Sequence, residues 1–67
     1  MIQVTVNGKP VSLEAPMTIE QLLVTAQVPP NYLAVEINAD VVPRELHAEK
    51  LVNDGDEVEV VTLVGGG

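Results

Sequence analysis

The sequence predicts an α+β fold, a mixed sheet of four to five strands packed on one helix. Three observations lead to it. Apolar residues alternate with period two near both ends of the chain, one central stretch has helical apolar spacing, and Asn-Gly and Asp-Gly pairs mark tight turns between such segments. The chain has 67 residues, enough for one domain. A domain this small buries only about 60% of the surface its unfolded chain exposes. With no cysteine and a single histidine, neither disulfides nor a structural zinc site can staple it. Stability must rest on aliphatic packing, and a composition that is 46% hydrophobic but 1% aromatic supplies it.

Each element has a local reason. Ile2, Val4 and Val6 alternate with Gln3 and Thr5, the pattern of a half-buried strand. Asn7-Gly8 follows, a pair suited to a turn whose two central residues need positive φ. Val11 and Leu13 continue as a second strand, giving a hairpin over residues 2–14. Thr18 and Gln21 form a capping-box signature at a helix start. Ile19, Leu22, Leu23 and Ala26 then fall at i, i+3, i+4 and i+7, one apolar stripe of a helix over about 18–28 that Pro29-Pro30 would end.

Leu33, Val35 and Ile37 alternate as a third strand, Asn38-Ala39-Asp40 reads as a turn, and Val41-Val42 is a short strand stopped by Pro43. Arg44 to Lys50 is polar, irregular or a single helical turn. Leu51 and Val52 precede a turn at Asn53-Asp54-Gly55-Asp56, and Glu57 to Leu63 is the last strand, with Val58 and Val60 on one face and Glu57 and Glu59 on the other. The arrangement that hides the helix stripe with few buried loops is the β-grasp, in which the last strand lies parallel beside the first. Parallel neighbours need a long crossover, and the helix with the middle segment provides one. The expected organisation is a domain over 1–63 and a flexible glycine tail over 64–67.

The formal net charge is −7, from ten acidic and three basic residues. That opposes binding to nucleic-acid backbones and anionic membranes, and favours solubility or a basic partner surface. No apolar run approaches the roughly 20 residues that span a bilayer. The N-terminus lacks the basic segment of a signal peptide, and the absence of cysteine suits a reducing compartment, so a cytoplasmic location is expected.

Chemistry concentrates at Gly65-Gly66-Gly67. Glycines pack nothing and order poorly. Four residues from Val64 reach roughly 14 Å when extended, and a chain without side chains can pass a constriction that any Cβ would block. Its α-carboxylate, ionised at neutral pH, becomes electrophilic once joined to AMP. A sulfur nucleophile can then displace AMP and leave a thiocarboxylate. Ordering glycine costs roughly 1–2 kcal/mol per residue, so the folded body must supply the docking affinity. Glu57, Glu59, Val61 and Leu63 on the last strand are the candidates, with ordinary packing the competing reading for Val61 and Leu63.

Other chemistries are weakly supported. Ser12 and His47 lack a third partner, and His47 is expected to be a surface or turn residue. No helix or lysine follows the terminal glycines, so they are not a phosphate loop. Asp54, Asp56 and Glu57 lack the ligand spacing of a calcium loop, and Arg44 reads as a solvated loop residue.

The Asn7-Gly8 hairpin, Ala34-Val35-Glu36-Ile37-Asn38 followed by Val42-Pro43-Arg44, Asp54-Gly55-Asp56 and the ending Val64-Gly65-Gly66-Gly67 together resemble the thiamine-biosynthesis sulfur carriers, the ubiquitin-like ThiS family. The resemblance covers essentially the whole chain. It implies a non-enzymatic β-grasp protein whose Gly67 is the modified residue, with Gly66 its essential neighbour and Gly65 part of the tail. It also implies an E1-like adenylating partner (ThiF-like) that binds the ATP, so that this chain holds no cofactor or metal of its own. The sulfur acceptor would be a thiazole synthase (ThiG-like). The Val42-Pro43-Arg44 stretch receives no chemical step. Two alternatives stay open: a molybdopterin-type sulfur carrier, which uses the same terminal chemistry with another acceptor, and a ubiquitin-like modifier that joins its end to substrate lysines, a different class of function.

Overall fold

A computed structural model of the chain describes residues 1–62. The first hairpin joins β1 (Ile2–Val6) to β2 (Lys9–Leu13) in antiparallel register, Ile2 opposite Leu13 and Val6 opposite Lys9. Asn7 and Gly8 turn it with φ of 52° and 82°, the left-handed pair that matches strand twist. Next come β3 (Met17–Thr18) and the helix α1 (Ile19–Thr25). A second hairpin pairs β4 (Ala34–Ile37) with β5 (Asp40–Val42). A 3₁₀ turn (Arg44–Leu46), β6 (Leu51–Val52) and β7 (Glu57–Val61) complete the described chain.

The main sheet has five strands in the order β2-β1-β7-β4-β5. β7 lies parallel to β1 and antiparallel to β4. With a single helix across one face, this is the β-grasp arrangement expected from the sequence. The inward residues of each strand (Val4 and Val6, Leu13, Val35 and Ile37, Val42, Val58 and Val60) meet Ile19, Leu22 and Leu23 of α1 in one apolar core. Ile19, Leu22, Val35 and Val52 are fully buried within it.

The capping box is present in full. Gln21 N–H donates to Thr18 Oγ1 at 3.2 Å, and Thr18 N–H donates to Gln21 Oε1 at 3.0 Å. The helix is shorter than expected, ending at Thr25 and not near residue 28. Gln27 adopts φ 59°, and the amides of Gln27 and Val28 donate back to the carbonyls of Val24 and Leu23 at 3.1 and 2.9 Å. That is a Schellman closure, made here without glycine, and it stops the helix before either proline can.

Two further differences concern neighbouring pieces. β3 and β6 form a separate two-stranded antiparallel pair, Met17 opposite Val52, which the sequence does not signal. It ties the segment entering the helix to the segment entering the last turn. Leu33, expected to alternate inward with Val35, is exposed and precedes β4. Its amide donates to the Val61 carbonyl at 2.7 Å, while Tyr32 takes the buried place.

Candidate functional site

β7 is the central strand of the sheet and the last described element. Its alternation turns Val58 and Val60 into the core and leaves Glu57 and Glu59 exposed on the opposite face, with Val61 half-buried. Leu63, Gly65, Gly66 and Gly67 lie outside the described residues. Of the residues expected to dock a partner, the structure therefore places Glu57, Glu59 and Val61 along one strand.

The neighbours of these residues set the character of the face. Glu59 stands directly opposite Glu36 of β4, and Glu57 opposite Thr5 of β1. Two carboxylates in a cross-strand pair repel, a destabilising choice for a sheet. Toward the outgoing end of β7 the acidic character gives way to the pair Val61 and Ala34, both half-buried. A broad depression runs along β7, with Asn7, Gly8, Asn38, Ala39, Glu57 and Glu59 in its lining.

Asparagines at the two hairpin turns hold β7 in this place. Asn38 has φ 51°, and its Oδ1 accepts the Glu57 amide at 3.0 Å while its Nδ2 donates to Asp56 Oδ1 at 3.1 Å. Asn7 Oδ1 accepts the Val60 amide at 2.7 Å. The carboxylates of Asp54 and Asp56 accept backbone amides of Gln3 and Asn53 at 2.7 and 2.8 Å, so this acidic turn is built from its own chain.

His47 is a turn residue, as expected, closing the 3₁₀ turn, but it is not at the surface: it is buried at 5% exposure. Its Nε2 lies 3.0 Å from the Val42 carbonyl, which can only accept, so Nε2 carries a proton. In the neutral ring Nδ1 is then the acceptor for the Tyr32 hydroxyl at 3.1 Å. The His47 carbonyl also receives the Glu20 amide at 3.0 Å, fastening the start of α1. The sequence held one clue: a lone histidine and a lone tyrosine in a small core have few partners other than each other.

Arg44 is exposed, as expected, but it is not free in solvent. Its guanidinium carbon lies 4.1 Å from the centre of the Tyr32 ring, and it donates to the Tyr32 carbonyl. The stretch Val42-Pro43-Arg44 is thus architectural: a carbonyl for His47, a proline at the cap of the 3₁₀ turn and a lid on Tyr32. Ser12 is not brought to His47; its Oγ accepts from Gln3 Nε2 at 2.7 Å on the outer face of the hairpin. Among the described residues no histidine, cysteine and carboxylate group is placed to hold a metal ion.

The ThiS family profile matches residues 4–67. The crystal structure of the thiamine biosynthesis protein ThiS from Geobacter metallireducens superposes with a TM-score of 0.83 at 36% identity, covering 98% of this chain and 100% of that one. The sulfur carrier protein ThiS of Escherichia coli (strain K12) is 30% identical over 98% of this chain and its own full length. A thiazole synthase of Paramagnetospirillum magneticum is 39% identical over 98% of this chain, which spans only 20% of that longer protein. A profile match over nearly every residue, with a full-length relative and a superposable structure, means that this chain belongs to the ThiS family.

Proposed function

We propose that this chain carries sulfur for thiamine biosynthesis as a thiocarboxylate on Gly67. Supporting the reading most directly is the family match, which runs on past the central strand to the last glycine. In the proposed cycle, a carboxylate oxygen of Gly67 attacks the α-phosphate of ATP held by an E1-like partner, and pyrophosphate leaves. A hydrosulfide equivalent then attacks the acyl carbon, the C–O bond to AMP breaks, and AMP leaves with the electron pair of that bond. The product is a terminal C(O)S⁻ group whose sulfur is nucleophilic toward the next acceptor.

The chain contributes presentation in this scheme, and the partners contribute catalysis and the nucleotide site. Glu57 and Glu59, with Glu36 beside them, give the open sheet face an acidic centre that suits a basic partner surface, while Val61 offers an apolar contact next to the tail. That thiazole synthases contain a segment similar to this chain supports a thiazole synthase as the acceptor. No helix among the described residues is long and apolar enough to cross a membrane. The cytoplasm is the compartment where the thiol chemistry of such a cycle persists.

Intact mass spectrometry tests the proposal. The protein is incubated with ATP, an E1-like enzyme and a sulfur source, alongside a variant lacking Gly66 and Gly67. Replacement of one oxygen by one sulfur in the full-length chain alone is expected, with unchanged circular dichroism for the truncated chain. Failure of the native end to form an acyl-adenylate with any cognate activating enzyme refutes it. Amide-linked conjugates on lysines would instead indicate a protein modifier, and transfer to a molybdopterin precursor the other type of carrier.

A further inference from the structure

The ladder between β1 and β7 stops before β7 does. Their register pairs Thr5 with Glu57 and Val6 with Val58, after which β1 turns away at Asn7-Gly8 while β7 continues to Val61. On its other side β7 stays paired to the end, with Ala34 opposite Val61. The outgoing part of β7 therefore has a strand on one side and the tip of a turn on the other.

Asn7 occupies that gap with two bonds. Its backbone amide donates to the Val58 carbonyl at 2.9 Å, and its side-chain Oδ1 accepts the Val60 amide at 2.7 Å. The first bond any residue at this position can make; the second needs a short side chain ending in an acceptor. The turn itself makes no such demand, because glycine and aspartate tolerate positive φ there as well as asparagine does. Turn formation and β7 anchoring are thus separable properties of one residue. An amide released at Val60 would open toward the depression that Asn7, Gly8 and Val60 help to line.

We propose that Asn7 is a positioning residue for the carrier chemistry. By replacing the missing β1 rung it fixes the end of β7 at Val60 and Val61, the part of the described fold that the carrier reading presents to the activating enzyme. This rests on the carrier reading of the chain. It assigns Asn7 no contact with the reacting atoms.

Two variants, Asn7→Gly and Asn7→Asp, separate the roles, since both suit the turn and only the second keeps an acceptor. Amide exchange followed residue by residue in the full chain, together with KM and kcat for adenylation of the carrier, provides the readout. In Asn7→Gly, losing one hydrogen bond should speed Val60 exchange by about tenfold relative to Val4 and Val35, and raise KM for the carrier by about fivefold with kcat unchanged. Asn7→Asp should keep both values within about twofold of wild type, because its carboxylate oxygen accepts the same amide. Unchanged Val60 exchange in Asn7→Gly overturns the inference, as does released Val60 with unchanged KM, or an equal KM rise in both variants. If wild-type protein is not adenylated at all, the carrier reading fails and this inference with it. An adenylated wild type with an indifferent Asn7→Gly sinks the inference alone.

Discussion

Three consecutive apolar residues on α1 give a sharp test of what holds the fold. Leu22 is 0% exposed, Leu23 7% and Val24 76%, although the three differ little in hydrophobicity. If stability follows burial, truncation to alanine must follow that order. Leu22→Ala removes side-chain atoms from a fully enclosed site and should cost about 3–5 kcal/mol, and Leu23→Ala, at the rim, about 2–4 kcal/mol. Val24→Ala should stay within about 0.5 kcal/mol, tilted toward stabilisation because alanine is the better helix former. A domain of 67 residues has about 3–10 kcal/mol to lose, so the Leu22 variant approaches the unfolding threshold. Urea denaturation followed by circular dichroism reads the series. With a slope of about 1 kcal/mol/M for a small domain, the Leu22 midpoint should fall by about 3 M and the Val24 midpoint should barely move. A Val24→Ala cost equal to that of Leu22→Ala would refute the packing described above.

The two remaining perturbations probe polar groups. Tyr32→Phe keeps the ring under Arg44 but removes the hydroxyl paired with buried His47 Nδ1; a loss of about 1–3 kcal/mol in denaturant melts is expected, and a loss below about 0.5 kcal/mol would show that Nδ1 is solvated. Glu59→Lys converts a repelling cross-strand pair with Glu36 into an attractive one, stabilising by about 0.2–1 kcal/mol at low salt and less as salt rises. The same change should weaken adenylation by a partner with a basic docking surface, and unaltered KM would remove the acidic face from the docking site.

Local codes were readable in the sequence because each is completed within a few residues. The Asn7-Gly8 hairpin, the Thr18–Gln21 box and the alternation that exposes Glu57 and Glu59 are all of this kind. What escaped depends on partners distant in sequence or on an atypical residue. The helix end rests on Gln27 in a conformation usually given to glycine, so the two prolines drew the boundary too late. β3 and β6 have two residues each, too few for any period, and exist only because they meet. His47 became buried through Tyr32, 15 positions away, and through the Val42 carbonyl, neither of which a surface-like sequence neighbourhood reveals. At the candidate site, the faces of Glu57, Glu59 and Val61 followed from alternation. The bond from Asn7 to Val60 spans 53 positions, and it depends on where β1 stops alongside β7, which composition does not encode.

The central place of β7 bears on how the molecule withstands force. A pull applied at Val61 along the axis of β7 would load that strand lengthwise. That strand has neighbours on both sides, β1 and β4, so a lengthwise tug shears two rows of bonds together. An edge strand, peeled sideways, would yield one bond at a time. The load on β7 is shared between β1 and β4, and the sheet resists a lengthwise pull on its central strand.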